Sequence, residues 1–371
     1  MLKRLKKFSL LNLLKILPRQ FIYFQTKYIK YKKLFKLFLL AKKDFKPSKE
    51  LQEIDLDFKV NQVCFSPNFK FIAIAGVSKY ISIFCIENMT FKKFGKENYR
   101  LSGQSDNINC IDISTCSEYL ASTSQDCTTF IYCMNSTQKD YKKVIHKIKN
   151  KNYTSRNIVK FSSKLLVTSG IDSHLIFCSM EKTRLFERIN IEPGYSDPIK
   201  KLCFSPDENL LAVNGGTSFS NIFINVYGVN EDMKDTFGLI IYSYQLGEIS
   251  HIESLCFTPS GTHLLCSTNI IRVFEIKNIN NYNKINFIEK TKQYGFNNNI
   301  CHSNICISAD GLDVGYAKNE TVYTYLFENE NKFRLLNVFS RHLKTITSLC
   351  FSPCGNFLAS GSTDQTLIIY C

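Results

Sequence analysis

The sequence predicts an all-β protein: a seven-bladed β-propeller preceded by a basic, partly helical N-terminal extension. Three observations predict it. A five-residue signature recurs as Val63-Cys64-Phe65-Ser66-Pro67, Leu202-Cys203-Phe204-Ser205-Pro206, Leu255-Cys256-Phe257-Thr258-Pro259 and Leu349-Cys350-Phe351-Ser352-Pro353, with weaker copies at Ile111-Asp112-Ile113-Ser114, Val159-Lys160-Phe161-Ser162 and Ile305-Cys306-Ile307-Ser308. The aligned residues Phe65, Ile113, Phe161, Phe204, Phe257, Ile307 and Phe351 lie 48, 48, 43, 53, 50 and 44 residues apart, which suits repeats of about 40–45 residues carrying loop insertions. Beyond residue 45 no long stretch shows helical periodicity. Seven units of short strands close into a ring of seven four-stranded sheets.

Residues 1–50 form the extension. Thirteen of the 47 Lys and Arg residues fall in residues 1–43, ahead of the first acid, Asp44. The rest of the chain carries 34 basic and 32 acidic residues, so the net charge of +15 belongs almost wholly to this arm. A basic ring face that binds nucleic acid is therefore not implied by net charge. Leu10, Leu13, Leu14 and Leu17 fall at helical spacing and Pro18 ends that helix; a second apolar and basic segment runs from Gln20 to Ala41. No uncharged apolar run reaches the roughly 18 residues that span a bilayer. Four roles fit such an arm. It is a basic amphipathic helix on an anionic membrane or a partner, an acid-free mitochondrial presequence, against which its few Arg and Ser count, an RNA- or ribosome-binding arm, or an extension with no specific role. Lys3, Arg4, Lys6 and Lys7 are its candidate anion-binding residues. Lys15 breaks the short apolar stretch, which argues against a secretory signal.

Residues 51–371 are assigned to the propeller. Leu51-Gln52-Glu53-Ile54-Asp55-Leu56 alternates and precedes the first repeat, while the last repeat reaches Cys371 after only three strands. An unpaired fourth position would leave an open sheet edge, so 51–56 is expected to pair with the last blade and lock the ring. Within each repeat, an alternating apolar strand ends in Ser/Thr-Pro or a similar turn. A second strand of small and apolar residues follows, as in Phe71-Ile72-Ala73-Ile74-Ala75-Gly76, Tyr119-Leu120-Ala121-Ser122 and Phe357-Leu358-Ala359-Ser360-Gly361. A polar turn such as Ser362-Thr363-Asp364 leads to a third strand such as Leu367-Ile368-Ile369-Tyr370. Short strands bounded by Gly, Pro, Asn, Asp and Ser read as antiparallel sheet.

With these motifs the chain resembles the WD40-repeat family. The last repeat, Leu358 to Cys371, fits the family pattern almost position for position. His342, four residues before Ile346, stands where the family has its turn histidine. The resemblance implies a hydrogen-bonded network that braces a blade, built here from His342, Ser360, Asp364 and Tyr370, with Tyr370 at the family's Trp position and Cys371 at its Asp position. The chain contains no Trp. The corresponding positions carry Phe84, Tyr132, Tyr227, Phe274, Tyr325 and Tyr370, while repeat three leaves Phe177 and Cys178 open. An aromatic ring keeps the buried area, but Phe donates no hydrogen bond. Turn aspartates stand at Asp126, Asp172 and Asp364. About one blade is therefore expected to be fully braced, and the resemblance speaks to fold more than to function.

The 15 cysteines lie mostly inside strands, and Cys64, Cys203, Cys256 and Cys350 share one position of the signature. That is the pattern of a small buried apolar residue rather than of a disulfide framework, and it fits a reducing compartment. Cys301, His302 and Cys306, and Cys350 with Cys354, invite a metal reading, but no Cys-x-x-Cys pair is present. No metal or cofactor is expected. Nor is there a phosphate loop, a Gly-x-Ser-x-Gly or a His-Glu-x-x-His. The six histidines are scattered, and the recurring aspartates follow the repeat, so no enzyme activity and no small-molecule substrate are expected.

The insertions are the candidate specificity elements, because loops on a rigid scaffold carry function more readily than its strands. Segment 135–155 is basic and includes Lys142, Lys143 and Lys147, a candidate partner- or anion-binding set; 228–250 and 277–300 are the other insertions. The expected function is a non-enzymatic scaffold that assembles protein partners into a multi-subunit complex, with the arm as tether or targeting element. The alternative is an RNA-associated assembly factor of the ribosome-biogenesis or mitoribosome type. A ubiquitin-ligase receptor would want Trp-Asp-x-Arg, for which Phe274-Glu275-Ile276-Lys277 is too degenerate. A phosphoinositide-binding propeller would want Phe-Arg-Arg-Gly, which is absent. A cytoplasmic or nuclear location follows, or a mitochondrial one if residues 1–43 are a presequence.

Overall fold

Each repeat of the sequence becomes one four-stranded antiparallel sheet. The computed structural model describes residues 50–371 except 87–98, 150–155, 171–173, 193–198, 216–221, 230–236, 247–251, 269, 278–284, 291–302 and 329–331. The arm, with Lys3, Arg4, Lys6 and Lys7, lies outside the described residues, as does Asp172.

The first strands of the seven sheets are Val60–Phe65, Ile108–Ile113, Arg156–Phe161, Lys201–Phe204, Ser254–Phe257, Ser303–Ile307 and Ile346–Phe351. They pack side by side around an axis, each against the next and the seventh against the first. Blade 7 consists of Ile346–Phe351, Leu358–Ser362 and Thr366–Tyr370, with Glu50–Asp55 as its outer strand. Glu53 stands opposite Ile368, Ile54 opposite Leu367 and Asp55 opposite Thr366. The inner edge of the junction is also tied, by Ser348 Oγ accepting from Val63 N at 3.0 Å and Thr347 Oγ1 donating to Val60 O at 2.7 Å.

The core lies between blades. Every residue of Phe71–Gly76 and of Leu165–Gly170 is buried, because the second strands are covered on both faces, and strands of that kind read as continuous apolar runs. Alternate residues of blade 7 pack in opposite directions. Leu358, Ile368 and Tyr370 meet Ala317 and Val322 of blade 6, whereas Ala359, Leu367 and Ile369 meet Val60, Val63, Ile72 and Ile74 of blade 1.

The hydroxyl of the signature has a structural task in all seven blades. Ser66, Ser114, Ser162, Ser205, Thr258, Ser308 and Ser352 are all buried. Each hydroxyl accepts from the backbone N–H that opens the second strand, at 2.9–3.1 Å. A side-chain acceptor at this place satisfies a hairpin donor that the sheet ladder does not reach. Three residues on, the turn needs left-handed backbone: Gly355 has φ 74°, but blade 1 places Phe69 there at 56°, a conformation that strains a side chain.

Register resolves the ambiguity in repeat three. Ile72, Leu120, Leu211, Leu264, Val314 and Leu358 face Phe84, Tyr132, Tyr227, Phe274, Tyr325 and Tyr370. The equivalent Leu166 faces Cys178, so blade 3 has a thiol where six blades have a ring.

Gly361 marks the tightest part of the closing junction. A Cβ there would lie 2.5 Å from Val60 Cγ1 and 2.7 Å from Val63 Cγ2. Overpacking of this kind costs about 1–3 kcal/mol, so Gly361→Ala should lower the unfolding free energy by that amount in urea titration. An unchanged midpoint would show that the junction between blades 7 and 1 can yield.

Candidate functional site

The polar groups that the sequence singles out in the last blade come together at one turn. His342 is buried; its Nδ1 lies 3.0 Å from Asp364 Oδ2 and 2.9 Å from Thr366 Oγ1, and its Nε2 lies 2.6 Å from Ser360 Oγ. Ser360 in turn donates to the Tyr370 hydroxyl at 3.3 Å. Asp364 also accepts from Leu343 N at 2.8 Å and Thr366 N at 3.0 Å. Burial alone would raise the Asp364 carboxyl, but hydrogen bonds from Thr366 and Leu343 and the neighbouring His342 outweigh it and hold it below the usual carboxylate range. The network links the loop before the first strand, the second strand and the third, so these groups clamp strands together.

Blade 2 repeats part of the arrangement with a different first residue. Gln104, Ser122, Asp126 and Tyr132 have the same spacings as His342, Ser360, Asp364 and Tyr370. Ser122 Oγ donates to Gln104 Oε1 at 2.8 Å, and Gln104 Nε2 donates to the carbonyls of Ser122 and Thr128 at 3.3 and 3.2 Å. Asp126 accepts from Ser105 N at 2.8 Å and Thr128 N at 3.0 Å. An amide thus replaces an imidazole, but the Tyr132 hydroxyl is buried without a hydrogen-bond partner, so blade 2 carries a partial clamp and, among the described residues, blade 7 the full one. The signal was in the sequence, as an identical spacing starting from Gln instead of His.

The basic insertion lies on the rim of blades 1 and 2. Lys142 Nζ sits 3.7 Å from the centroid of the Tyr99 ring and 4.9 Å from that of Tyr141, and Lys147 Nζ sits 4.5 Å from that of Phe130. Lys143 reaches Asp140 at 3.8 Å. Arg100 lies 4.1 Å over Tyr80 and pairs with Asp57 at 3.1 Å. All four cations are exposed. The structure therefore brings Lys142 and Lys147 to the side where blades 1 and 2 meet, while Arg100, next to Tyr99 in the outer strand of blade 1, turns to the opposite face toward Tyr80 and Asp57. Aromatic faces orient these cations while leaving them open to solvent.

The axis carries a third group. The signature position before the apolar anchor is Cys64, Asp112, Lys160, Cys203, Cys256, Cys306 and Cys350 in blades 1 to 7. Lys160 Nζ and Asp112 Oδ1 are 3.0 Å apart, and Asp112 Oδ2 accepts from Phe161 N at 2.8 Å. The ring is narrow enough for Lys160 to act on Cys64, Cys203 and Cys350. Burial nevertheless pushes Cys256 and Cys350 up to about 12, and Cys64, Cys203 and Cys306 well above the ordinary thiol value. Thiols so raised are poor nucleophiles and poor metal ligands. Among the described residues no three His, Cys, Asp or Glu side chains converge as a metal site.

Residues 95–133 and 333–371 match the family model described as WD domain, G-beta repeat. These two stretches contain Gln104 to Tyr132 of blade 2 and His342 to Tyr370 of blade 7. Among solved structures, the chain is similar to the β-propeller domain of Cps50 (Swd1) from Myceliophteria thermophila, with 16% identity, a TM-score of 0.67, and coverage of 87% of this chain and 98% of that one. No curated protein matches the chain.

Because Gln104 fills the place of His342 in the second clamp, His342→Gln should retain most of the stability that His342→Ala loses. That loss is about 1–3 kcal/mol for a buried network left unsatisfied, and chemical denaturation reads it. The depressed Asp364 carboxyl contributes stability that is fully present above the unfolded carboxylate value and is lost as pH falls through the lower folded value. In the His342→Gln background, the lead over a further Asp364→Asn substitution should therefore hold from neutral pH to about pH 4 and narrow below it.

Proposed function

We propose, from the premise that this chain belongs to the WD40-repeat family, that it is a non-enzymatic scaffold whose ring docks protein partners within a multi-subunit complex. WD40 propellers typically bind protein partners, and the likeness to the propeller of Cps50 (Swd1) agrees with that fold-level expectation. The observation that carries the reading is the rim of blades 1 and 2. There Lys142 and Lys147 lie over Tyr99 and Phe130, with Arg100 over Tyr80 on the other face of blade 1, exposed cations on rigid aromatic platforms. Such a surface suits acidic peptide segments, because Arg and aromatic residues are the side chains that anchor interfaces. The groups with chemical potential elsewhere, His342, Asp364 and the Lys160–Asp112 pair, are engaged in joining strands, which supports a structural role for them.

The arm favours a second reading. Thirteen cations without an acid in residues 1–43 suit RNA or an anionic membrane, with the ring as cargo carrier. Salt separates the two readings, since phosphate contacts weaken steeply as salt rises.

Affinity capture with the full chain and with residues 49–371, each with and without nuclease, followed by mass spectrometry, tests the proposal. The same protein partners should appear with both forms, and a Lys142→Glu/Lys147→Glu variant should reduce their recovery by roughly tenfold. Partners that vanish with the arm or with nuclease would overturn the docking role of the ring.

A further inference from the structure

At one end of the axis the innermost strands of blades 4 to 7 enclose a cavity of about 250 Å³, lined by Lys201, Glu253, Asn304, Thr345, Thr347 and Thr363. Its volume is below the roughly 300–1,000 Å³ of sites that hold drug-sized ligands, so it suits a smaller molecule. Two opposite charges face it from neighbouring blades. The Lys201 ammonium and the Glu253 carboxylate act on one another electrostatically, yet among the described residues neither makes a hydrogen bond or ion pair.

The contrast with the pair one blade away is informative. Lys160 and Asp112 close to 3.0 Å, as opposite charges in a poorly solvated place should. Among the described residues, Lys201 and Glu253 remain apart, and their side chains have hydrogen-bonding capacity left for a ligand. Asn304 donates its Nδ2 to Thr347 O at 2.8 Å, which leaves its Oδ1 to accept. Thr347 gives its own proton to Val60 O, with Gly361 O a second acceptor at 3.1 Å, so its hydroxyl oxygen retains acceptor capacity. Asn214, opposite Lys201 in the ladder, is buried and donates to Ile252 O at 3.2 Å, and its Oδ1 has no partner. The lining itself therefore has one cation, one carboxylate, and the oxygens of Asn304 and its threonines, with Asn214 lying outside it.

A simple anion would meet Glu253, and a simple cation would meet Lys201. A molecule that carries both charges a few bonds apart satisfies both walls, and an ammonium with three donors suits a carboxylate flanked by an amide oxygen and a hydroxyl. We propose that this cavity binds a small zwitterion of the α-amino acid type, its carboxylate on Lys201 and its ammonium on Glu253 and Asn304. The site is independent of the docking rim.

Titration calorimetry on the full chain tests this, with the standard α-amino acids supplied up to about 10 mM and with inorganic phosphate and methylammonium as single-charge probes. At least one amino acid should bind saturably at one site per chain. Its N-acetyl and carboxamide derivatives, each lacking one charge, should bind at least tenfold more weakly, as should the amino acid itself to Lys201→Met and Glu253→Gln. The derivatives probe the wild-type protein, so the test stands even if a variant fails to fold. Three results would overturn the proposal: no amino acid binding in that range, binding that neither variant alters, or phosphate binding that Glu253→Gln strengthens, which would mark a plain anion site.

Discussion

The antiparallel ladder between Glu50–Asp55 and Thr366–Tyr370 is the constraint on which the rest of the ring depends. The second strand of each blade is buried on both faces, so every blade needs two neighbours. Blades 1 and 7 obtain theirs only when the circle closes. The ladder supplies the missing outer strand of blade 7, and the packing of Val60 and Val63 on Gly361, Leu367 and Ile369 supplies the missing contact surface. Chain segments some 300 residues apart thus act as one sheet, and blade 7 gains the fourth strand that the other six blades have.

Closure also explains how the chain does without tryptophan. In a ring held at its seam, the polar clamp is needed to set individual strands rather than to hold the blades together. Blade 7 keeps it whole through His342 and blade 2 keeps it in part through Gln104, while blade 3 places Cys178 where the others have an aromatic ring. What all seven blades share is the buried Ser or Thr at the first hairpin. The strongest conserved feature inside this chain is thus a backbone hydrogen bond, which depends on one oxygen and not on ring size.

The division of labour between axis and rim follows from solvent access. Near the axis, burial keeps thiols protonated and drives Lys160 onto Asp112; the Lys160 ammonium stays protonated because that carboxylate overrides the cost of burial. At the rim, water screens the charges of Arg100, Lys142 and Lys147, and aromatic faces align them at little cost. The cavity beside Lys201 and Glu253 combines partial burial with charges that, among the described residues, are not paired.

The sequence by itself determined the repeat, its number, its strand grammar and the clamp of the last blade. These depend on local periodicity and fixed spacing, and each is written within about 50 residues. The clustering of basic residues in 135–155 was also legible, since it is a matter of composition. Only the tertiary structure decided that Cys178 and not Phe177 takes the ring position, and that Lys142 crosses to Tyr99 of the preceding blade. It alone shows that Asp112 meets Lys160, and that Lys201 and Glu253 share a cavity without touching. Each of these rests on contacts between residues on different blades or on strand register. A register shift of one residue turns every side chain to the other face, and no pattern inside a single repeat records which neighbour it will meet.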